Sequence, residues 1–255
     1  MEEEIRHFKN VKVLLKDIGE LQRKVNTVRQ YRDPSTAERE LDEKLDRSEI
    51  TRDRYKKEIK KIARMMREET VEHEGKRVRI RRVANHYYVP LILSDDEKIH
   101  YIKHIIKTES EVRFVNELER YLEGNNKFEE FDWWMFSKLD ESLDDVYIPY
   151  YDPKTNSIRH FKPDFIFWLQ KGRNYFIVFI DPKSTSFTDY QHKVLGYKGL
   201  FEGGDGTKII RHEKFNVRVF AFLLTDDVNQ VAEGGYKKYW FDEIGKVLDR
   251  VLDHS

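Results

Sequence analysis

The chain has 255 residues, enough for one large domain with an appendage. Lys plus Arg and Asp plus Glu both number 47, so net charge points to no partner and any nucleic-acid surface must be local. The absence of cysteine excludes disulfides and thiolate metal sites.

With 39% hydrophobic and 13% aromatic residues, the chain can bury a sizeable core. No apolar run approaches membrane-spanning length, and the opening Met1-Glu2-Glu3-Glu4 is unlike a signal peptide. The expectation is a cytoplasmic protein with no membrane partner.

Residues 1–72 read as a charged helical appendage. "FKNVKVLLKDIGELQRKV" places Phe8, Val11, Leu14, Leu15, Ile18, Leu21 and Val25 at helical spacing. Pro34 and Ser35 interrupt that pattern. A second helical run then resumes, with few apolar residues and many alternating charges, as on a solvated face. "EGKRVRIRRVANHYYVPLIL" follows. Lys76, Arg77, Arg79, Arg81 and Arg82 there interleave with Val78 and Ile80 in a strand-like pattern. A basic edge strand that resists aggregation and a phosphate-contacting ribbon both fit.

From residue 96 the pattern becomes regular. The spacing predicts a helix over 96–123, with an interruption near Thr108. "VYIPYYD" then reads as a strand, "DPKTNS" as a turn, "IRHFKPDFIFWLQ" as a second strand, "KGRN" as a tight turn and "YFIVFIDPK" as a third strand. A helix over "FTDYQHKVLGYKGLFE", a glycine loop "GGDG", a fourth strand "NVRVFAFLLT" and a closing helix complete the chain. The closing helix carries Ile244, Val247, Leu248, Val251 and Leu252 on one stripe. Helix, three strands, helix, strand is the order of an α/β domain with a mixed sheet.

The chemistry-bearing residues stand at the ends of two of those strands. Asp164 heads one and Asp181 closes the next, with Lys183 on the same face as Asp181 by strand alternation. Whether Asp164 and Asp181 meet depends on the hairpin register, which the sequence leaves open. Together they would make a hard-oxygen site suited to Mg²⁺, with Mn²⁺ as a substitute and the Pro182 carbonyl as a further ligand. Lys183 would orient an attacking water and offset charge developing on phosphorus.

Pro163-Asp164, sixteen intervening residues and Asp181-Pro182-Lys183 resemble the PD-(D/E)xK nuclease signature. The flanking "KHIIKTESEVRFVNELE" and "FIDPKSTSFTDYQHKVLGYKGLF" are similar to the C-terminal endonuclease region of type III restriction enzymes and related helicase-nuclease proteins. The resemblance spans roughly residues 85–255. It implies a restriction-endonuclease-like core over 73–255 and a Mg²⁺-dependent DNA endonuclease acting in restriction or phage defence. It further implies a separate helicase or recognition subunit as partner, and it is compatible with a homodimer. In this mapping Asp164 and Asp181 are the metal carboxylates, Lys183 is the catalytic lysine and Glu111 is the helix-borne acid. Gln191, Lys193 and Tyr197 fall where relatives contact the substrate backbone. The chain has no G-x-x-x-x-G-K-[ST], and "GGDGTK" lacks that spacing, so no ATP site is expected.

Blander readings stand beside this one. Pro-Asp and Asp-Pro are common turn dipeptides. His100 and His104 lie one helical turn apart but have no evident third ligand. Trp133 and Trp134 fit a core better than a base-stacking platform. The alternatives in function are a structure-specific repair or recombination nuclease and a non-catalytic nucleic-acid-binding module. For the helix acid, Val115, Leu118 and Leu122 form a stripe that includes Glu111 and leaves Glu117 off it. A first-turn acid favouring the helix dipole is the simpler account of Glu111.

Overall fold

The computed structural model describes residues 34–65, 69–73, 76–81, 83, 85–87, 91–94, 105–124, 126–140, 146–182, 190–204, 206–225, 227–231 and 235–255. The first predicted helix, the His100 and His104 pair, and Lys183 lie outside them. Contacts divide the chain into two compact units, with a break between Lys107 and Thr108. Among the described residues, no helix is long and apolar enough to cross a membrane.

In the unit Gly19–Lys107, the charged run forms two helices, α1 (Pro34–Asp46) and α2 (Arg52–Met65). Ser48 adopts a left-handed φ of 60°, which breaks the run, and Tyr55 Oη donates to Asp42 Oδ1 at 2.6 Å to hold the two helices together. The expected helix does not reach residue 72. Glu69–His73 is a strand, β1, built on the β-branched pair Thr70 and Val71. It pairs antiparallel with β2 (Lys76–Arg81), so Glu72 faces Arg77. Beyond β2 come β3 (Leu91–Ser94) and β4 (Ile105–Ile106), in the order β1-β2-β3-β4. The basic strand β2 is therefore internal to its sheet rather than an edge.

In the unit containing Thr108–Ser255, the stretch after the expected interruption near Thr108 forms α3 (Glu109–Glu123), while residues 96–104 of the expected helix lie outside the described residues. Thr108 caps it, accepting from the Glu111 amide at 3.4 Å, which satisfies an otherwise orphaned donor. Downstream, β5 (Trp133–Lys138) is a strand that the alternation of side chains does not reveal, because all six residues are buried. It pairs with β8 (Phe165–Lys171), and β8 pairs with β9 (Asn174–Pro182), both antiparallel. Gly172, at φ 58°, makes the two-residue turn between β8 and β9. Next to β9 runs β13 (Phe215–Leu224), in parallel, flanked by β12 (Ile210–His212) and β14 (Trp240–Phe241). The sheet order is β12-β13-β9-β8-β5, with β14 beside β13, and the short strands β10 (Glu202–Gly203) and β11 (Gly206–Thr207) pair with each other outside it.

The result is a mixed α/β arrangement around a central, mostly antiparallel sheet. Helix, three strands, helix, strand describes it, but the first of the three strands is β5 rather than "VYIPYYD". That stretch forms β6 (Ile148–Asp152), which pairs only with β7 (Ser157–Phe161) in a separate two-stranded ribbon. Nor is "IRHFKPDFIFWLQ" one strand. Lys162, Pro163 and Asp164 separate β7 from β8, as expected where Pro163 offers no amide to a ladder.

Phe114 of α3 packs on Phe165 and Phe167, with ring centroids 4.7 and 6.1 Å away. Trp133 and Trp134 are both buried, and Trp134 stacks on Phe128. At the C-terminal end, α5 (Ile244–Leu252) buries Ile244, Val247, Leu248 and Val251. The preceding residues Lys237–Tyr239 form a 3-10 turn leading into β14, not helix.

Between β9 and β13 lies α4 (Tyr190–Phe201), which seats the β6–β7 ribbon. The contact closes over Gly196. A methyl group there would lie 2.4 Å from the Pro149 carbonyl oxygen and 2.7 Å from Tyr150 Cβ. Gly196→Ala is expected to destabilise the protein by about 1–3 kcal/mol, the cost of overpacking a close contact. Urea unfolding measures this, and an unchanged midpoint would show that the ribbon is not seated on α4.

Candidate active site

The heads and tails of β5, β8 and β9 bring the candidate residues to one end of the sheet. Lys138 ends β5, opposite Phe165. One step on, the Leu139 amide donates to the Asp164 carbonyl at 2.8 Å, so Asp164 continues the β5 ladder just outside β8. The β8–β9 register pairs Phe165 with Ile180, and its next step sets Asp164 across from Asp181.

Glu111 reaches this end from the first turn of α3. It is buried, together with Phe114, Val115 and Leu118, which is the helix phase expected from the apolar stripe. Glu117 is only half-buried and lines a shallow pocket with Ser110, Arg113 and Pro182. Glu111 is also the first-turn acid of the simpler account, since the helix starts at Glu109. Both descriptions hold together.

The centre of the arrangement is a residue that the sequence reading passes over. Lys138 Nζ lies 2.9 Å from Glu111 Oε1 and 3.1 Å from Asp164 Oδ1, with the three side chains 9%, 7% and 18% exposed. The ammonium also lies 5.6 Å from the Phe165 ring centroid. Burial alone would lower the pKa of Lys138, but the Asp164 and Glu111 carboxylates outweigh it and raise the value above 10.5. No motif marks Lys138. Its signal was a lysine closing an otherwise apolar run, legible only once "WWMFSK" is known to be a strand.

Asp181 is 1% exposed. Alternation along β9 puts its side chain on the face opposite Ile180 and Pro182, whereas Pro182 lies on the α3 side. The structure therefore brings Glu111 and Asp164 to one ammonium and leaves Asp181 on the neighbouring face. Among the described residues, no group of three or more His, Asp or Glu side chains is gathered to hold a metal ion. The donors Glu111 and Asp164 are nonetheless hard carboxylate oxygens already converging on a cation, the chemistry that Mg²⁺ prefers.

The residues expected to contact the substrate backbone separate. Tyr197 is buried and donates from its hydroxyl to the Val219 carbonyl at 3.0 Å, which makes it a packing residue of α4 and corrects its placement as a contact. Burial pushes its hydroxyl pKa up. Gln191 is exposed, and Lys193 lies with Nζ 4.8 Å from the Phe161 ring centroid.

Removing Lys138 would leave two buried carboxylates facing each other. Lys138→Met is expected to cost about 3–5 kcal/mol, the penalty for breaking a buried ion pair. Adding Glu111→Gln and Asp164→Asn should recover much of that loss. Since the folded pKa of Lys138 is raised, its contribution is fully present below pH 10.5 and is lost as pH climbs through the folded value. Denaturant titrations of wild type and Lys138→Met should thus differ by a constant amount at neutral pH and converge in strong alkali. A gap that widens in alkali would contradict the assignment.

No curated protein and no solved structure matches this chain. Residues 102–233, just over half of the 255, match the YagJ family. That stretch takes in α3, the three core strands β5, β8 and β9, the ribbon, α4 and β13, and with them Glu111, Lys138, Asp164 and Asp181. The chain belongs to the YagJ family.

Proposed function

We propose that this protein is a Mg²⁺-dependent DNA endonuclease that hydrolyses phosphodiester bonds directly, on a restriction-endonuclease-like core with an N-terminal helical appendage. One observation carries the reading. Glu111 from a helix and Asp164 from the head of a strand converge on a single buried ammonium at one end of the sheet.

Glu111 and Asp164 would hold the metal; the resemblance adds Asp181 and the Pro182 carbonyl, although alternation along β9 turns the Asp181 side chain to the other face of the sheet. Bound there, Mg²⁺ would supply Lewis acidity and a water of lowered pKa, with Mn²⁺ able to substitute. Lys138 bridges the two carboxylates and holds them oriented. Lys183 is assigned the role of orienting the attacking water and offsetting charge on phosphorus. A setting in restriction or phage defence, with a separate helicase or recognition subunit, follows from the resemblance alone.

A second reading is a non-catalytic nucleic-acid-binding module. The observation in its favour is that the Glu111 and Asp164 carboxylates are already bridged by Lys138, which offsets one of their two charges.

Incubating supercoiled plasmid with the protein and Mg²⁺ or Mn²⁺ separates the two. The expected result is metal-dependent nicking or linearisation, lost by at least about a hundredfold in Lys183→Ala and Glu111→Gln, the scale for removing an electrostatic or acid–base group. Glu117→Gln should stay near wild type. DNA binding without cleavage under either metal would select the module.

A further inference from the structure

The β6–β7 ribbon stands outside the main sheet and is built unlike the rest of the unit. On one side it is seated on α4 through Gly196. Its outer strand and turn, residues 153–160, are exposed throughout. Tyr151 and Ile158, which face each other in the ladder, are 52% and 64% exposed. They are two of the four exposed large hydrophobic residues among the described residues.

Charge on the ribbon is one-sided. Lys154, Arg159 and the following Lys162 are basic, and the sole acid between Tyr147 and Lys162 is Asp152. Asp152 is buried and engaged by the Lys154 amide at 2.9 Å and by Arg159 Nη1 at 3.1 Å. With Asp152 taken up by Arg159, the local balance is left to Lys154 and Lys162, which are basic. The ribbon is also preorganised. Tyr151 Oη donates to Asn156 Oδ1 at 2.7 Å, and the His160 ring stacks on Tyr147 at 3.8 Å between centroids.

We propose that the β6–β7 ribbon docks into the major groove of duplex DNA. A two-stranded ribbon fits the B-form major groove, which is about 12 Å wide, whereas the major groove of A-form RNA is too narrow to admit side chains. Lys154 at the turn and Lys162 just past the outer strand reach phosphates, and Tyr151 and Ile158 present apolar surface to base edges. The ribbon is tied to the candidate site by covalent structure, since β7 runs through Lys162 and Pro163 directly into Asp164. A duplex held on the ribbon is thereby held close to Asp164. The inference rests on the nuclease reading for its purpose, not for its binding chemistry.

The test is equilibrium binding of a short fluorescein-labelled DNA duplex to the full chain in EDTA, where no cleavage occurs. Lys154→Glu with Lys162→Glu leaves the Asp152–Arg159 contact in place. That variant should bind at least about tenfold more weakly and lower the steepness of the log affinity against log salt plot by about two. Ile158→Asp, at an exposed position, should weaken binding by about fivefold or more. An RNA duplex of the same sequence should bind at least about tenfold more weakly than the DNA. Wild-type affinity in both variants, equal affinity for the two duplexes, or no DNA binding by wild type would each overturn the proposal. Binding through the ribbon without cleavage in Mg²⁺ would sink the nuclease reading and leave this one standing.

Discussion

Two carboxylates and one ammonium, all largely buried, constrain how three separate elements of this protein meet. Glu111 belongs to α3, Lys138 to β5 and Asp164 to the approach to β8. Each group is expensive to bury alone, and each becomes tolerable only when the other elements arrive in register. The aromatic core beneath them is less particular, because Phe114, Phe165 and Phe167 could pack in several ways. Charge therefore supplies the specificity at this end of the sheet. A shift of α3 by one residue would swing Glu111 by about 100° and strand Lys138 against a single partner.

The same end of the sheet explains why the ribbon and the candidate site belong together. Pro163 cannot donate to a ladder, so the chain leaves β7 and enters β8 through a short irregular step. Asp164 sits in that step. The Leu139 amide holds its backbone in the β5 ladder, while its side chain is not committed to strand alternation and turns to Lys138. A residue inside a regular strand would have no such freedom. The break between ribbon and sheet is what allows a carboxylate to point across the sheet end.

How much of this was legible in the sequence depends on what each element hides. The hairpin of β8 and β9 was readable because "KGRN" carries a glycine that a left-handed turn requires, between two long apolar runs. The phase of α3 was readable because Val115 and Leu118 recur at helical spacing, and Glu111 fell on their side. Strand β5 was not readable: buried on both faces, it has no alternation, and "WWMFSK" resembles any short core segment. Missing β5 meant missing Lys138. The break near Thr108 was readable as an interruption, and the structure makes that residue the cap at which α3 begins. Tyr197 was misassigned because an amphipathic side chain on a helix after the core strands looks the same from sequence whether its hydroxyl meets a phosphate or the Val219 carbonyl.

The central ion pair also sets the condition that any metal chemistry here must meet. A divalent cation bound by Glu111 and Asp164 competes with the Lys138 ammonium for the same oxygens. Lysine is suited to that competition in a way arginine is not, because its charge is a point on a flexible four-carbon stem rather than a planar fork bound bidentately. Its attachment is at the last residue of β5, at the end of the strand. Desolvation favours release of the ammonium, and the two carboxylates oppose it. The balance between those two terms, rather than the number of acids in the motif, decides whether this sheet end acts as a metal site or as a buried salt bridge.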